Sequence, residues 1–473
     1  MGKEMKDVKT VGILPLGRPT FDVPFAEENL ASMILALRSA GFALAGPERL
    51  LFDADATRVA INELEAARPD SILILQVTFT DARMAVEIAN SFTGPVLIWA
   101  IPEPRIGGRL RLNSFCGLNL AGHALGRNNK PFGYLYAAPE SAGIENALRD
   151  LVDGRRLADD IRPSDGIVRD GEDALKGRNA ARALEGTKIG RIGMHPDGFD
   201  TCKYDRNALR ALAGVDVDEL DLAALFDRAK EIGDDREKGV RSEVERMLSG
   251  LDAVDQQELD RSLRLKSALD DLRAAASYDA FAIRCWPETF TEYGGAVCGP
   301  VSMMGEARVP CACEADVYGA LTTLLLQRVA DKPAFLVDLV DLDSGDDTGV
   351  VWHCGQAPIS MADPDSTPHA TIHTNRKMPL LFEFPLRAGR VTFFRISQAR
   401  GRTFAVIGGG EMLKRPMAFT GTSGVVRFDN GSKTTLERVM GAALEHHMAL
   451  TYGDYRNALK AAASELDLPV LEL

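Results

Sequence analysis

Between Cys313 and His353 the chain reads CEADVYGALTTLLLQRVADKPAFLVDLVDLDSGDDTGVVWH. Glu314 closes a short apolar run, Val309-Pro-Cys-Ala-Cys313, and Asp338 closes another, Ala334-Phe-Leu-Val-Asp338. The segment between them has the length and apolar content of a helix. The pattern is therefore strand–helix–strand, with one carboxylate at the C-terminal end of each strand. In a parallel α/β sheet two such ends lie side by side, on the edge where ligands bind. Two carboxylates held there suit a divalent-metal site, an acid/base pair, or both.

Working outward, 473 residues with 45% hydrophobic and 26% charged content describe an ordinary globular chain of several domains. A net charge of −13 argues against nucleic acid or an anionic membrane as partner, since either needs a basic face. The opening MGKEMKDVKTVGILPLG has too short an apolar run for a signal peptide and reads as a first strand. No run approaches a membrane span. Seven cysteines, an odd number scattered along the chain and without zinc-finger spacing, suit a reducing compartment. The expected location is cytoplasmic.

Strand-like and helix-like segments alternate from about residue 10 to 150: Thr10–Leu16, Ser71–Val77, Pro95–Ala100 and Phe132–Ala137 read as strands, with helices between. The polar stretch Asp159–Gly186 shows no pattern and is taken as the first boundary. A second α/β segment opens at Lys188–Met194 and returns to strands at Ala280–Cys285, Val309–Cys313 and Ala334–Val340. Beyond Gly355 come short strands, Leu380–Pro385, Arg390–Ser397, Thr403–Gly408 and Val425–Phe428, then a helix, Asp454–Leu466, and a final strand. Gly408-Gly-Gly410 reads as a turn among them. The expected fold class is α/β: two Rossmann-like parallel-sheet domains (1–165 and 166–358) followed by a small C-terminal antiparallel β-barrel domain (359–473). The central domain would carry Glu314 and Asp338.

A hard divalent ion on two carboxylates needs a further ligand, and of Mg²⁺ and Mn²⁺ the latter tolerates imidazole more readily. The chain has seven histidines, of which the adjacent His446 and His447 interrupt an apolar stretch. Each also fits a capping or surface role, as Asp338 fits a strand end and Glu314 a first helical turn.

Several runs resemble the L-fucose isomerase and L-arabinose isomerase superfamily: Cys285-Trp-Pro287, Gly294-Gly-Ala-Val-Cys-Gly-Pro300, Pro310-Cys-Ala-Cys-Glu314 and Phe335-Leu-Val-Asp338. His447-Met-Ala-Leu-Thr-Tyr-Gly453 and Pro469-Val470 resemble that family's late histidine, its following helix and its last strand. The resemblance implies a divalent metal, Mn²⁺ foremost, on Glu314, Asp338 and His447. The two carboxylates would also shuttle a proton through an ene-diol. His446 then stands where the family often has a substrate-contacting polar residue.

Fainter likenesses add Arg18, after the opening strand, as a sugar contact. Phe79 falls in a loop that in the family approaches a neighbouring subunit's site. Trp286 and Phe79 suit stacking on a sugar face or a place in the core. Arg18 suits a sugar hydroxyl or a surface ion pair. His353, after the Asp338 strand, is expected to line the pocket, and the resemblance to L-arabinose isomerases, with a metal histidine in this region, implies it as the reserve ligand. Asn113 precedes a helix N-terminus and fits substrate reception or, better, helix capping. The implied assembly is a homo-oligomer, trimer or hexamer, with sites at subunit interfaces.

The reading that results is a metal-dependent aldose–ketose isomerase acting on an unphosphorylated sugar, one modified at C6 by an acidic group included. Epimerase or retro-aldol lyase chemistry on the same cradle is the alternative, and a non-catalytic sugar-binding protein a lesser one. The chain holds no GxxxxGK[ST] run and no strand-linked GxGxxG, so a nucleotide-dependent enzyme is disfavoured.

Overall fold

The computed structural model describes residues 8–473. Strands β1 (Thr10–Leu16), β2 (Ala43–Ala45), β3 (Ser71–Gln76), β4 (Val96–Ala100) and β5 (Phe132–Tyr136) form a parallel sheet in the order β2-β1-β3-β4-β5. β3 is SILILQ and β4 VLIWA, nearly all buried, as a parallel sheet covered on both faces requires. Strands β6 (Lys188–Ile192), β7 (Asp216–Leu220), β8 (Ala280–Ile283) and β9 (Cys311–Ala312) form a second parallel sheet, β7-β6-β8-β9.

The third sheet has nine strands: β10 (Phe335–Asp343), β11 (Thr348–His353), β12 (His369–Thr371), β13 (Leu381–Pro385), β14 (Gly389–Ser397), β15 (Phe404–Met412), β16 (Thr422–Phe428), β17 (His447–Tyr452) and β18 (Val470–Glu472). Their order is β12-β13-β16-β11-β10-β17-β14-β15-β18, and β15 also pairs with β16. The pairings from β16 through β11, β10, β17, β14 and β15 therefore return to β16.

Two expectations are corrected here. The C-terminal sheet is neither small nor purely antiparallel, because β13–β16 and β15–β18 are parallel pairs. And β10 does not lie beside β9. It joins the third sheet, antiparallel to β11 and β17, and Asp338 is mid-strand rather than at a strand end. The cause is the helix Val317–Ala330, buried at all but one of its positions. A helix apolar all round needs cover on every side. It finds β8 on one side and β14 and β17 on the other, so the chain leaving it enters a different sheet.

Other differences are local. The polar stretch 159–186 contains a helix, Glu172–Arg182, packed on the helix Arg456–Glu465, with Arg182 Nε 2.7 Å from Glu465 Oε1. Gly408, Gly409 and Gly410 lie inside β15, not in a turn. A Cβ at Gly410 would stand 2.7 Å from the Arg427 carbonyl oxygen of the neighbouring strand, so this close approach requires glycine. Among the described residues no helix is long and apolar enough to cross a membrane.

Gly177 allows the backbones of the two packed helices to touch, since a Cβ there would overlap the Ala458 carbonyl. Alanine is about 1 kcal/mol better than glycine in a helix, but overpacking costs about 1–3 kcal/mol. Gly177→Ala is therefore expected to lower stability despite its higher helix propensity. Urea unfolding of the two proteins checks it; a gain in midpoint would contradict the packing argument.

Candidate active site

The loops at the C-terminal ends of both parallel sheets open onto one pocket. Arg18 follows β1 and Phe79 follows β3. The segment after β4 is folded back by the buried Glu103 carboxylate, which accepts backbone N–H groups of Arg111, Leu112 and Asn113 at 2.6, 2.8 and 2.8 Å. Burial pushes the Glu103 carboxyl up, against those hydrogen bonds. Asn113 is held at φ 49° and makes no side-chain cap of the helix Ser114–Arg127. Its Oδ1 is buried without a partner and the residue lines the pocket, so the capping role does not hold.

Trp286 follows β8 and Glu314 follows β9. Glu314 and Ala315 are both in the left-handed region, at φ 60° and 55°. For non-glycine residues this costs about 1–3 kcal/mol each. The conformation turns the Glu314 carboxylate into the pocket. There Trp286 Nε1–H donates to Oε1 at 3.1 Å, and His446 Nε2 lies 3.0 Å from Oε2.

The third sheet supplies the rest. In its ladder Asp338 of β10 stands opposite His447 of β17 and Trp352 of β11. A bulge one residue beyond Asp338 interrupts the β10–β11 register. His447 Nε2 is 3.4 Å from Asp338 Oδ1 and 3.9 Å from Glu314 Oε2. Its other nitrogen, Nδ1, is 3.0 Å from Asp316 Oδ2. Asp316 in turn receives Arg395 Nη1 at 2.5 Å and Nη2 at 3.2 Å. A carboxylate on Nδ1 holds that proton, so the Nε2 lone pair faces Asp338 and Glu314.

Charge follows from this wiring. Burial pushes the Glu314 carboxyl up, but the hydrogen bond and charge of His446, with His447 and Trp286, outweigh it and hold it below the ordinary value. His446 is raised by Glu314 in spite of burial, whereas His447 is lowered by burial and by His446. A neutral His447 is the form that ligates metal. Glu314, His446 and His447 form one group that could hold an ion, and Asp338, His353 and His447 another, sharing His447. Asp338 Oδ1 is buried with no hydrogen-bond partner. An orphaned carboxylate oxygen 3.4 Å from a neutral imidazole nitrogen, with a second carboxylate 3.9 Å from that same nitrogen, fits a divalent cation.

His353 Nδ1 accepts the Cys354 N–H at 2.9 Å, and its Nε2 is buried with no partner. The nine side chains named from the sequence thus come together. Arg18, Phe79, Asn113, Trp286, Glu314, Asp338, His353 and His446 line the pocket, and His447 lies behind Glu314 and Asp338. Phe79 and Arg18 line the pocket of their own chain.

The comparisons with known proteins agree in direction. Residues 12–162 match the model of the fucose/sulfoquinovose isomerase N-terminal domain, and residues 351–473 that of the L-fucose isomerase C-terminal domain. A sulfoquinovose isomerase of Clostridium sp. (strain MSTE9) is 30% identical over 97% of this chain and 98% of its own. The chain belongs to the fucose/sulfoquinovose isomerase family. Sulfoquinovose isomerases of Priestia megaterium (strain ATCC 12872 / QMB1551) and Alkalicoccus urumqiensis are each 29% identical, over 97% and 98% of this chain and 98% and 99% of theirs. An A1-type ketoreductase structure overlays at TM-score 0.25 and 12% identity, over 65% of this chain and 78% of that one, too little to carry an argument. The enzyme is an intramolecular oxidoreductase that isomerises a sugar.

Sequence reading missed several residues of this isomerase's site. Asp316 caps the helix Val317–Ala330 through Gly319 N–H at 2.8 Å, a local role that masks the distant one. Arg395 lies in the apolar run Val391-Thr-Phe-Phe-Arg-Ile-Ser397, where a charge needs a buried partner, and that was the available signal. Asn375 and Arg376, from the segment between β12 and β13, carry no such signal.

Burial alone would raise the Asp316 carboxyl, but Arg395 and His447 hold it well below the carboxylate range. A carboxyl depressed in the folded state contributes stability that is full above its unfolded value, about 4, and lost as pH falls through the folded one. Asp316→Asn leaves Arg395 buried and unmatched, so the expected loss is about 3–5 kcal/mol at pH 7. The gap to the parent should narrow below about pH 4. Urea unfolding at both pH values checks both statements.

Proposed function

We propose that the enzyme interconverts an unphosphorylated aldose and its ketose through an ene-diol, with Glu314 and Asp338 as proton-handling carboxylates. The observation that carries this reading is that both carboxylates approach one nitrogen, His447 Nε2, at 3.4 Å from the orphaned Asp338 oxygen and 3.9 Å from Glu314. Glu314, Asp338 and His447 would hold a divalent ion, Mn²⁺ first among candidates. When bound, such an ion supplies Lewis-acid stabilisation of the negative charge that develops on adjacent sugar oxygens.

The chain's own residues do the remainder. Glu314 stays ionised because His446 and Trp286 donate to its two oxygens, and an ionised carboxylate is the form that takes a proton from a carbon beside a carbonyl. The same carboxylate, its proton exchanging with solvent while the ene-diol lasts, protonates the neighbouring carbon, and Asp338 relays the hydroxyl proton from one sugar oxygen to the other. His353, with Nδ1 already accepting, carries its proton on Nε2 when neutral and donates to a sugar hydroxyl rather than ligating metal. Asn113 Oδ1 accepts from another hydroxyl. Phe79 and Trp286 wall the pocket with apolar surface and keep water from the ene-diol. Sulfoquinovose, the sugar in the relatives' names, is the leading substrate. A homo-oligomer remains the proposed assembly.

Proton NMR in D₂O with metal-stripped enzyme, with and without Mn²⁺, tests the reading on sulfoquinovose and on neutral aldoses. Ketose should appear only with metal, carrying solvent deuterium. C2-inverted aldose without ketose would favour an epimerase, and cleavage products a lyase. Glu314→Gln keeps the size but removes the base, and turnover should fall about 10²–10⁴-fold. Unimpaired turnover would remove Glu314 from the chemistry.

A further inference from the structure

The carboxylates and histidines occupy one end of the pocket. The other end is basic. Arg18, after β1, and Arg376, between β12 and β13, both line it and both lie against the indole of Trp286, with Cζ 5.1 and 5.4 Å from the ring centroid. Trp286 thus spans the two ends, since its Nε1–H reaches Glu314. Among the described residues neither guanidinium enters a hydrogen bond or an ion pair. The carboxylates that act on them are already taken, Glu314, which also acts on Arg18, by His446 at 3.0 Å. Asp81, near Arg18, is held by Arg83 at 3.0 Å, and Glu288, near Arg376, by Arg284 at 2.6 Å.

The two arginines repel each other, and Arg376 helps lower Arg18 after the larger effect of burial. Two half-buried like charges facing one space without a counter-ion are costly unless something anionic joins them. Their loops are nonetheless pinned together. Arg109 donates from Nη2 to the Thr20 carbonyl at 2.6 Å and from Nε to Asn375 Oδ1 at 3.0 Å. His373 Nδ1 accepts the N–H groups of Asn375 and Arg376, each at 3.2 Å. The spacing of the pair is therefore built in before any ligand arrives.

Resting on the isomerase reading, we propose that Arg18 and Arg376 form a receptor for a tetrahedral anionic group on the sugar carbon farthest from the reacting end, and that this group is a sulfonate. Arg109 is a positioning residue that sets the distance between them. Each guanidinium offers a fork of N–H donors. Two forks converging from different loops suit an anion with three outward oxygens better than a planar carboxylate, which one fork satisfies. A chain of net charge −13 needs such a local basic feature to admit an anionic sugar at all.

The test compares parent, Arg376→Gln, Arg376→Lys and Arg18→Gln on sulfoquinovose and on quinovose, its neutral 6-deoxy counterpart. Glucuronate and glucose 6-phosphate serve as carboxylate and phosphate arms, and methanesulfonate is titrated as a competitive inhibitor. Expected is a drop of about 10–100-fold in the sulfoquinovose-to-quinovose ratio of kcat/KM for each Gln variant, carried by KM. Arg376→Lys should recover part of it, and inhibition by methanesulfonate should weaken in step. Equal losses on both sugars would overturn the receptor and leave the arginines merely structural. A parent preference for glucuronate or glucose 6-phosphate would overturn the sulfonate assignment. If the parent isomerises nothing, calorimetry with sulfoquinovose separates the two ideas. Binding lost in Arg376→Gln would keep the receptor and sink the isomerase reading, and no binding would sink the receptor.

Discussion

A buried arginine holds a buried aspartate, and that aspartate holds the histidine at the centre of the site. Arg395 and Asp316 are 2% and 1% exposed in their side chains. Removing two such ions from water costs several kcal/mol each. The cost is offset only because two guanidinium nitrogens meet the two carboxylate oxygens and His447 adds a third bond. The arrangement is a specification more than a stabilising device. It decides which nitrogen of His447 bears the proton, and so which faces Glu314 and Asp338. The strands β14 and β17 and the helix Val317–Ala330 must pack in one register for the three to meet.

That register also explains why a helix with almost no polar face lies between two sheets. Its side chains touch β8 of the second sheet and β14 and β17 of the third, so the two sheets cannot shift independently. Glu314, on the loop before the helix, and Asp338, on the strand after it, are brought to the same place from opposite sides. The left-handed backbone at Glu314 and Ala315 is the local strain this convergence requires. It persists because the surrounding hydrogen bonds, from Trp286 and His446, over-determine the carboxylate's position.

The pocket is polarised along its length. Carboxylates with imidazoles stand at one end, guanidiniums without a partner among the described residues at the other, and Trp286 between them. The proposed proton transfer at carbon needs a base that stays charged out of water, and His446 and Trp286 hold the Glu314 carboxyl below its ordinary value. Recognition of a distant substituent needs charge of the opposite sign, kept from collapsing onto that base. The tying of Asp81 to Arg83 and of Glu288 to Arg284 leaves Arg18 and Arg376 free for the proposed receptor.

Much of what gathers at the pocket was legible in residue types and local order: the carboxylates at 314 and 338, the paired histidines, Arg18 and Trp286, as were the two parallel sheets with their buried apolar strands. These are properties of short runs, and local runs carry them because β-strands, helices and motif spacings are set by neighbours in the chain. What lay outside the sequence's reach were choices between distant partners. β10 and its predecessor read alike as apolar strands, yet one pairs in parallel beside β8 and the other antiparallel beside β17. The packed helix within 159–186 draws its apolar surface from a partner near the C-terminus. Asp316 is joined to His447 across 131 positions and to Arg395 across 79, and Arg109 to Asn375 across 266. The sequence alone determined which titratable and ligating groups were available. Only the tertiary structure decided which were neutral, which were paired and which were left facing the pocket, because burial and partnership at such separations are made by packing.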